Sequence, residues 1–326
     1  MDEFGIIAKY LKPLARTPGA LGLSDDAAQV AIPPGNELVI TKDAILAGVH
    51  FLETDPLDLV AKKLMRVNIS DLAAKGARPF GYFLACCWPK ETRETDVADF
   101  ARGLAEDQSV YGLSLLGGDT TPTPGPLTLS MTALGLIPRG QMVHRSGARP
   151  GDRVFVTGTI GDAGLGLKVA RGERLGLSEA DLNYLLGRYR LPAPRLEFGL
   201  GARTLMLASI DVSDGLIMDA KHIGETSGVG MRVEAEKLPR SPAADGWIKR
   251  GGSPTVLATA GDDYELCFTA PSASISQLRA VAEKTKTRLT EIGEVLRGSG
   301  VAFIGADGRE IAVPAPEPTY FRAGPF

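Results

Sequence analysis

"DPLDLVAKKLMRVNISDLAAKGARP", Asp55 to Pro79, reads as one long helix with both ends marked. Asp55 is placed to cap it, Pro56 suits its first turn, Gly76 can take the left-handed position past its end, and Pro79 forbids continuation. Upstream, "ELVITKDAI" (37–45) is β-rich and alternating, a strand ending near Asp43, and downstream "FGYFLACCW" (80–88) is a buried strand. Strand, helix, strand sets an alternating α/β plan for the first half. It continues with a second helix, "ETDVADFARGLAEDQSVYG" (94–112). Two more strands follow, "LSLLGG" (113–118) and "LTLSMTALGLI" (127–137), separated by the turn-rich "DTTPTPGP".

The alternation stops at "PRGQMVHRSGARPGD" (138–152), rich in Gly, Pro and Arg. Beyond it, "RVFVTGTIGDAGLGL" (153–167) is strand, glycine turn and helix, and "ASIDVSDGLIMDAKHIGETSG" (208–228) repeats that plan with Gly228 as its stop. "TVLATAGDDYELCFTA" (255–270) reads as two short strands around a Gly-Asp-Asp turn, and "TEIGEVL" and "GVAFIG" close the pattern as strands. The organisation expected is two α+β domains, residues 1–140 and 145–326, in keeping with a 326-residue chain that exceeds what one core serves.

Composition narrows the function classes. With 44% hydrophobic and 23% charged residues, the chain is of ordinary globular type, and no apolar run approaches the ~20 residues of a membrane span. The N-terminal stretch lacks the features of a signal peptide, so a cytoplasmic location is expected. Cys86, Cys87 and Cys267 sit in apolar runs without metal-ligand spacing, which suits reduced, buried thiols. A net charge of −3 and the lack of basic runs argue against nucleic-acid binding. Any phosphate must be held by local devices.

The acids recur at strand ends and helix starts. Asp25 and Asp26 precede a strand, Asp43 ends one, Asp119 follows "LLGG", Asp211 and Asp214 bracket "DVSDG", and Asp262 and Asp263 fill "GDD". Asp71 lies on the long helix, on the same face as Asn68. Ligands of open α/β sheets collect at strand ends. So many carboxylates cannot converge without a counter-ion, and oxygen-only ligands point to Mg²⁺. Each has a plainer alternative: Asp162 and Asp214 as helix caps, "GDD" as a turn, "GLSDDAA" as a solvated loop. "VTGTIGDAGLGL" fits neither a G-x-G-x-x-G nor a Walker pattern and is read as a tight turn. The two glycines of "LLGGDTT" let a backbone approach a ligand beside Asp119. Arg145 is placed to pair with a phosphate or to bridge the domains. No Ser or Cys lies in a nucleophile elbow, and His50, seven residues after Asp43, is near enough along the chain to share its site.

"SDDAA", "TKDAILAGVHF", "VNISDLAAKGARP", "LLGGDTT", "RSGARPGDRVFVTGTIGDAGLGL", "IDVSDGL" and "GDDYELCF", in that order, resemble the thiamine-monophosphate kinase family of the aminoimidazole ribonucleotide synthase superfamily, over about residues 3–305. The resemblance implies a two-domain α+β fold whose N-terminal α/β domain forms a dimeric β-barrel. It implies a homodimer that transfers the γ-phosphate of ATP, the co-substrate, to thiamine monophosphate with several Mg²⁺ ions. By matching positions, the metal ligands would be Asp26, Thr41, the backbone of Lys42, Asp43, Asp71, Asp119, Asp211 and Asp214, with Asp43, Asp71 and Asp119 essential to turnover. The nucleotide would meet Tyr111, Gly118, Asp119, Arg145 and Ser213, and the acceptor His50, Asp262 and a C-terminal aromatic, Tyr320.

This chain departs from the family pattern in four places. Ser24 replaces a Gly, Lys42 a Thr or Ser, Asp262 a Glu, and "PTYFRAGPF" the usual closing motif. Two alternatives stand beside the kinase reading: another ATP-dependent enzyme of the superfamily, and a non-catalytic thiamine-phosphate binder. A selenophosphate synthetase would carry an N-terminal Cys, absent from residues 1–40, and a hydrogenase maturation protein would end in Cys rather than Phe326.

Overall fold

The computed structural model of the chain describes residues 3–314. After a short helical start, α1 (Glu3–Ile6), a four-stranded sheet forms from β1 (Asn36–Leu46), β2 (Arg78–Pro89), β3 (Leu115–Thr123) and β4 (Thr128–Pro138). Its order is β1-β4-β2-β3, with β4 antiparallel to both neighbours and β3 parallel to β2. Helices α2 (Leu57–Lys75) and α3 (Glu94–Tyr111) belong to this lobe.

The second sheet comprises β5 (Arg153–Thr157), β6 (Ala208–Asp211), β7 (Gly230–Glu234), β8 (Leu266–Ala270), β9 (Leu289–Leu296) and β10 (Val301–Ile304). Its order is β10-β7-β9-β5-β8-β6, antiparallel except for the β10–β7 pair. Around it lie α4 (Asp162–Ala170), α5 (Glu179–Arg190), α6 (Leu196–Ala202), α7 (Leu216–Ser227), α8 (Pro242–Ile248), α9 (Pro254–Thr259) and α10 (Ile275–Lys284). No described helix is long and apolar enough to cross a membrane.

Several local expectations change. Gly76 and Gly228 do end their helices in the left-handed region, at φ 69° and 68°. Asp55, however, does not cap α2: its carboxylate accepts from the Leu52 amide at 2.9 Å and pairs with Arg190 at 2.7 Å. β1 runs three residues past Asp43, and β3 continues through Asp119 to Thr123, so both acids lie within strands. "PTVLAT" is helix α9, not a strand, because Pro254 sits in its first turn and the Ser253 hydroxyl accepts from the Thr255 amide at 3.2 Å.

Helix α2 is apolar on nearly every side because it is wrapped on nearly every side. Leu64, Met65 and Ile69 share one core with Tyr82, Leu84 and Met131 of the first sheet and with Phe155, Leu266 and Phe268 of the second. The opposite face of the second sheet, with Val154, Val156 and Cys267, is covered by Leu216, Ala220 and Ile223 of α7. The first sheet's other face is partly open. An N-terminal arm covers Leu116 and Leu134 through Ala20, while Ile40 of β1 remains 61% exposed.

Flanking helices reach the α2 backbone through glycines. A Cβ at Gly199 of α6 would collide with the Ala73 carbonyl oxygen, and one at Gly103 of α3 with that of Asp58. Gly199→Ala is therefore expected to cost about 1–3 kcal/mol in urea denaturation. Gly187→Ala, at an α5 position with nothing within 4 Å of the added Cβ, is expected to stabilise by about 0.5–1 kcal/mol. Equal effects at the two positions would contradict this packing.

Candidate active site

Strand alternation decides which acids meet. Thr41 and Asp43 pair with Ala133 and Met131, both core residues, so the two side chains face α2. There the Thr41 hydroxyl donates to the Asp71 carboxylate. Burial first, and the Asp71 charge second, push the Asp43 carboxyl up to about 7, with Lys42 pulling the other way. Asp43 Oδ2 is buried with no hydrogen-bond partner among the described residues.

Asp211, at the last position of β6, enters the same cluster. Burial raises its carboxyl well above the usual range, followed by Asp71; the Ser70 hydroxyl opposes, and Asp219 and Asp43 add to the rise. Lys75 borders the group, donating to the Ser209 carbonyl at 2.7 Å. Burial lowers its ammonium, while Asp211 and Asp71 hold it up. Three carboxylates and a threonine hydroxyl, all hard oxygens with one buried oxygen unpartnered, fit a Mg²⁺ site.

Beyond Asp211 the chain turns through Ser213 and Asp214. Neither the Asp214 nor the Asp162 side chain is the cap of the helix it precedes or opens. Asp219 instead accepts from the Ser213 and Asp214 amides at 3.0 and 3.1 Å. Burial and then Asp214 push the Asp219 carboxyl up to about 8, against those amides and Arg145. Ligand atoms of Asp214, Asp219 and His222 lie within 4.8 Å of one another. Arg145 is close enough to act electrostatically on both Lys75 and Asp219.

The Gly-Asp-Asp turn assigns its two acids different work. Asp263 is fully buried and accepts from the Gly161 and Ala163 amides at 2.6 and 3.1 Å, capping α4. Asp262 stands in the left-handed region, φ 69°, and its amide donates to the Ser213 carbonyl at 2.9 Å. Its carboxylate meets Lys63 of α2 at 2.7 Å, and Lys63 also donates to the His50 carbonyl at 2.9 Å. Burial lowers the His50 imidazole, with Asp262 opposing and Lys63 reinforcing, and its Nδ1 accepts from the Leu46 amide. His50 and Asp262 are thus brought together by Lys63, which no local sequence motif marks out from its neighbour Lys62. Tyr320 lies outside the described residues.

The remaining candidates lie elsewhere. Asp119 pairs with Ala85, whose neighbours Leu84 and Cys86 face the core, so Asp119 points to the open side of the sheet. There Asp25, Asp26, Gly118 and Asp119 line a cavity of about 450 Å³ with Phe83. Lys42 is on that side too, donating to Ser130 at 2.7 Å. Tyr111 lines a third region, a cavity of about 470 Å³ with Arg78, Arg195 and Thr287, where the Arg66 guanidinium lies 6.0 Å from its ring centre. Within one copy, then, Thr41, Asp43, Asp71 and Asp211 share one electrostatic neighbourhood, Asp214 and Ser213 follow Asp211 in the chain, and Asp26, Asp119 and Tyr111 line other cavities.

The Asp43 shift has a sign that can be measured. Its folded carboxyl, at about 7 against 3.8 for an ordinary aspartate, binds protons that the unfolded chain has lost, so its ionisation erodes stability as pH rises through that window. Without Mg²⁺, Asp43→Asn is expected to gain stability over wild type by about 1–3 kcal/mol more at about pH 8 than at about pH 5. Chemical denaturation at the two pH values checks this, and a pH-independent difference would refute it.

Comparison with known proteins places this geometry. AIR synthase related protein, N-terminal domain, matches residues 24–137, and the corresponding C-terminal domain matches 149–305. The chain is 47% identical over 305 residues to the thiamine-monophosphate kinase of Caulobacter vibrioides, covering 92% of this chain and 86% of that one. Among solved structures, thiamine-monophosphate kinase from Stenotrophomonas maltophilia superposes with a TM-score of 0.83 at 38% identity, covering 94% of this chain and 96% of that one. AaThiL complexed with AMPPCP and TMP superposes with a TM-score of 0.74 at 31% identity, covering 95% and 94%. By sequence and by fold, the chain belongs to the thiamine-monophosphate kinase family of AIR synthase related proteins.

Proposed function

We propose that the chain transfers the γ-phosphate of ATP to thiamine monophosphate, giving thiamine diphosphate and ADP. The observation that carries the reading is the electrostatic coupling of Asp43, Asp71 and Asp211 beside a buried, unpartnered Asp43 Oδ2, in a chain 47% identical to a kinase of that name. The AMPPCP and TMP bound by the AaThiL relative agree with the two substrates.

The acceptor phosphate is already ionised near neutral pH, so no general base has to be built. The task is to hold two anions in line against their repulsion, about 4 kcal/mol per unit pair at 4 Å and an effective dielectric of 20. Bound Mg²⁺ would supply the neutralising charge. In this reading Thr41, the Lys42 carbonyl, Asp43, Asp71, Asp211 and Asp214 are metal ligands from this side of the sheet, and Asp26 and Asp119 from the open side. Arg145 and Ser213 meet the nucleotide phosphates beside Asp219; Tyr111 and Gly118 complete the nucleotide contacts. His50, Asp262 and Tyr320 meet the acceptor.

The same reading divides the chain at residues 1–140 and 145–326 and makes it a homodimer in the cytoplasm, its open sheets facing each other. The bare Ile40 and the half-exposed Leu38, Phe83 and Leu136 on that face support the pairing.

Two experiments test the proposal. ATP consumption should depend on thiamine monophosphate and Mg²⁺, and Asp43→Ala or Asp71→Ala should lower kcat by several kcal/mol of barrier, roughly 10³-fold, with folding retained. Near-wild-type kcat in either variant at saturating Mg²⁺ would sink the metal-site reading, and a protein that binds thiamine monophosphate without turnover would be a binder. Sedimentation should show twice the chain mass for wild type and a monomer for Ile40→Asp; a monomeric wild type would refute the dimer.

A further inference from the structure

Lys63 is a charged residue where the fold would accept an apolar one. Its side chain is 3% exposed, on a helix whose neighbouring buried positions are Val60, Leu64, Met65 and Val67. An ammonium carries three donors and no acceptor, and each has a direction to go. One meets Asp262 Oδ2 at 2.7 Å, one the His50 carbonyl at 2.9 Å, and the Tyr189 ring centre lies 4.2 Å away for the third. The charge is spent on protein groups, so the ammonium is not offered to a ligand.

What those contacts join is specific. His50 is in the turn after β1, Asp262 in the loop before β8, Tyr189 on α5 and Lys63 on α2. Asp262 occupies a left-handed conformation that non-glycine residues rarely adopt, held by its amide on Ser213 and its carboxylate on Lys63. With Oδ2 taken by Lys63, the carboxylate, about a third exposed, turns Oδ1 to the Tyr264 hydroxyl, from which it accepts at 3.4 Å.

We propose that Lys63 is a positioning residue for the acceptor: its ammonium fixes Asp262 and the His50 turn at one separation, so that the Oδ1 edge of Asp262 and the His50 imidazole address the same substrate molecule. This rests on the acceptor site proposed above. Lys63 acts through Asp262 and does not touch the substrate. Asp262, a short carboxylate on a left-handed turn residue, depends on that hold to be aimed.

The test compares Lys63→Met, Lys63→Arg, Asp262→Asn and the Lys63→Met/Asp262→Asn double variant with wild type. KM for thiamine monophosphate, KM for ATP and kcat are measured separately, with a thermal melt of each protein. Lys63→Met should raise KM for thiamine monophosphate at least about tenfold and leave KM for ATP within about twofold, and Lys63→Arg should recover part of the loss. The double variant should be no more than about twofold worse than Asp262→Asn, because both changes remove one interaction. Parallel rises in both KM values, a change in melting alone, or multiplying effects in the double variant would overturn the proposal. If Lys63→Met does not fold, Lys63→Arg and Asp262→Asn decide it: unchanged KM for thiamine monophosphate in both refutes it. Wild-type turnover with an unmoved Lys63→Met sinks this inference alone, whereas wild type inactive on thiamine monophosphate sinks the functional reading and this inference with it.

Discussion

Burial of α2 between two sheets is the constraint from which the rest of the site follows. A helix packed on one side by Tyr82, Leu84 and Met131 and on the other by Leu266 and Phe268 keeps only a narrow, partly exposed strip, with Asp58, Lys62 and Arg66, for polar residues. Those it does carry find partners on the elements around it, several of them in the other lobe. Lys63 reaches Asp262, the Ser70 hydroxyl lies 3.5 Å from the Tyr264 carbonyl, Asp71 accepts from Thr41, and Lys75 reaches Ser209. The helix also acts as a ruler. Lys63 and Asp71 are eight residues apart, about 12 Å along the axis, which separates the proposed acceptor contacts from the carboxylate cluster.

The cluster is unstable as bare charge. Asp43 and Asp211 are both raised, by burial first and Asp71 second, although Lys42 acts against the rise at Asp43 and Lys75 interacts with Asp211 and Asp71. Two relief routes exist: protonation, or a multivalent cation bound to the free Asp43 Oδ2. Tyr264 reports the same field, since after burial its phenol is raised by Asp262, Asp43, Asp211 and Asp71 in turn. The Asp262 turn and the carboxylate cluster thus both act on this one phenol, in the region the proposed function gives to the two phosphate-bearing substrates.

Much of this was written locally in the sequence. The ends of α2 and α7 are marked by glycines that no other residue suits as well, and "IDVSDGL" betrays a strand ending in an acid. What escaped depends on parity and distance. Whether Asp119 faces the helices or the open side is fixed by its pairing with Ala85, and a shift of one residue would reverse it. "PTVLAT" is too short for its period to separate helix from strand. Lys62 and Lys63 look alike in sequence, yet one side chain is paired with Glu106 near solvent and the other is buried against Asp262, 199 positions away.

The division of acids between two sides of the first sheet bears on how a complete site can exist. β1, with Thr41 and Asp43, and β3, with Asp119, are the two edge strands, and their acids point to opposite faces. Three strand spacings, about 14 Å, separate those edges within one copy. No single nucleotide terminus can touch both sets through the sheet. In the proposed dimer, however, two four-stranded sheets closing into one barrel set the β3 edge of one copy beside the β1 edge of the other. Asp119 and the nearby Asp26 would then approach the Thr41–Asp43 edge from the partner's direction. On that geometry the proposed pairing would cover Ile40 and set Asp119 and Asp26 of one copy beside the edge strand that carries Thr41 and Asp43 in the other.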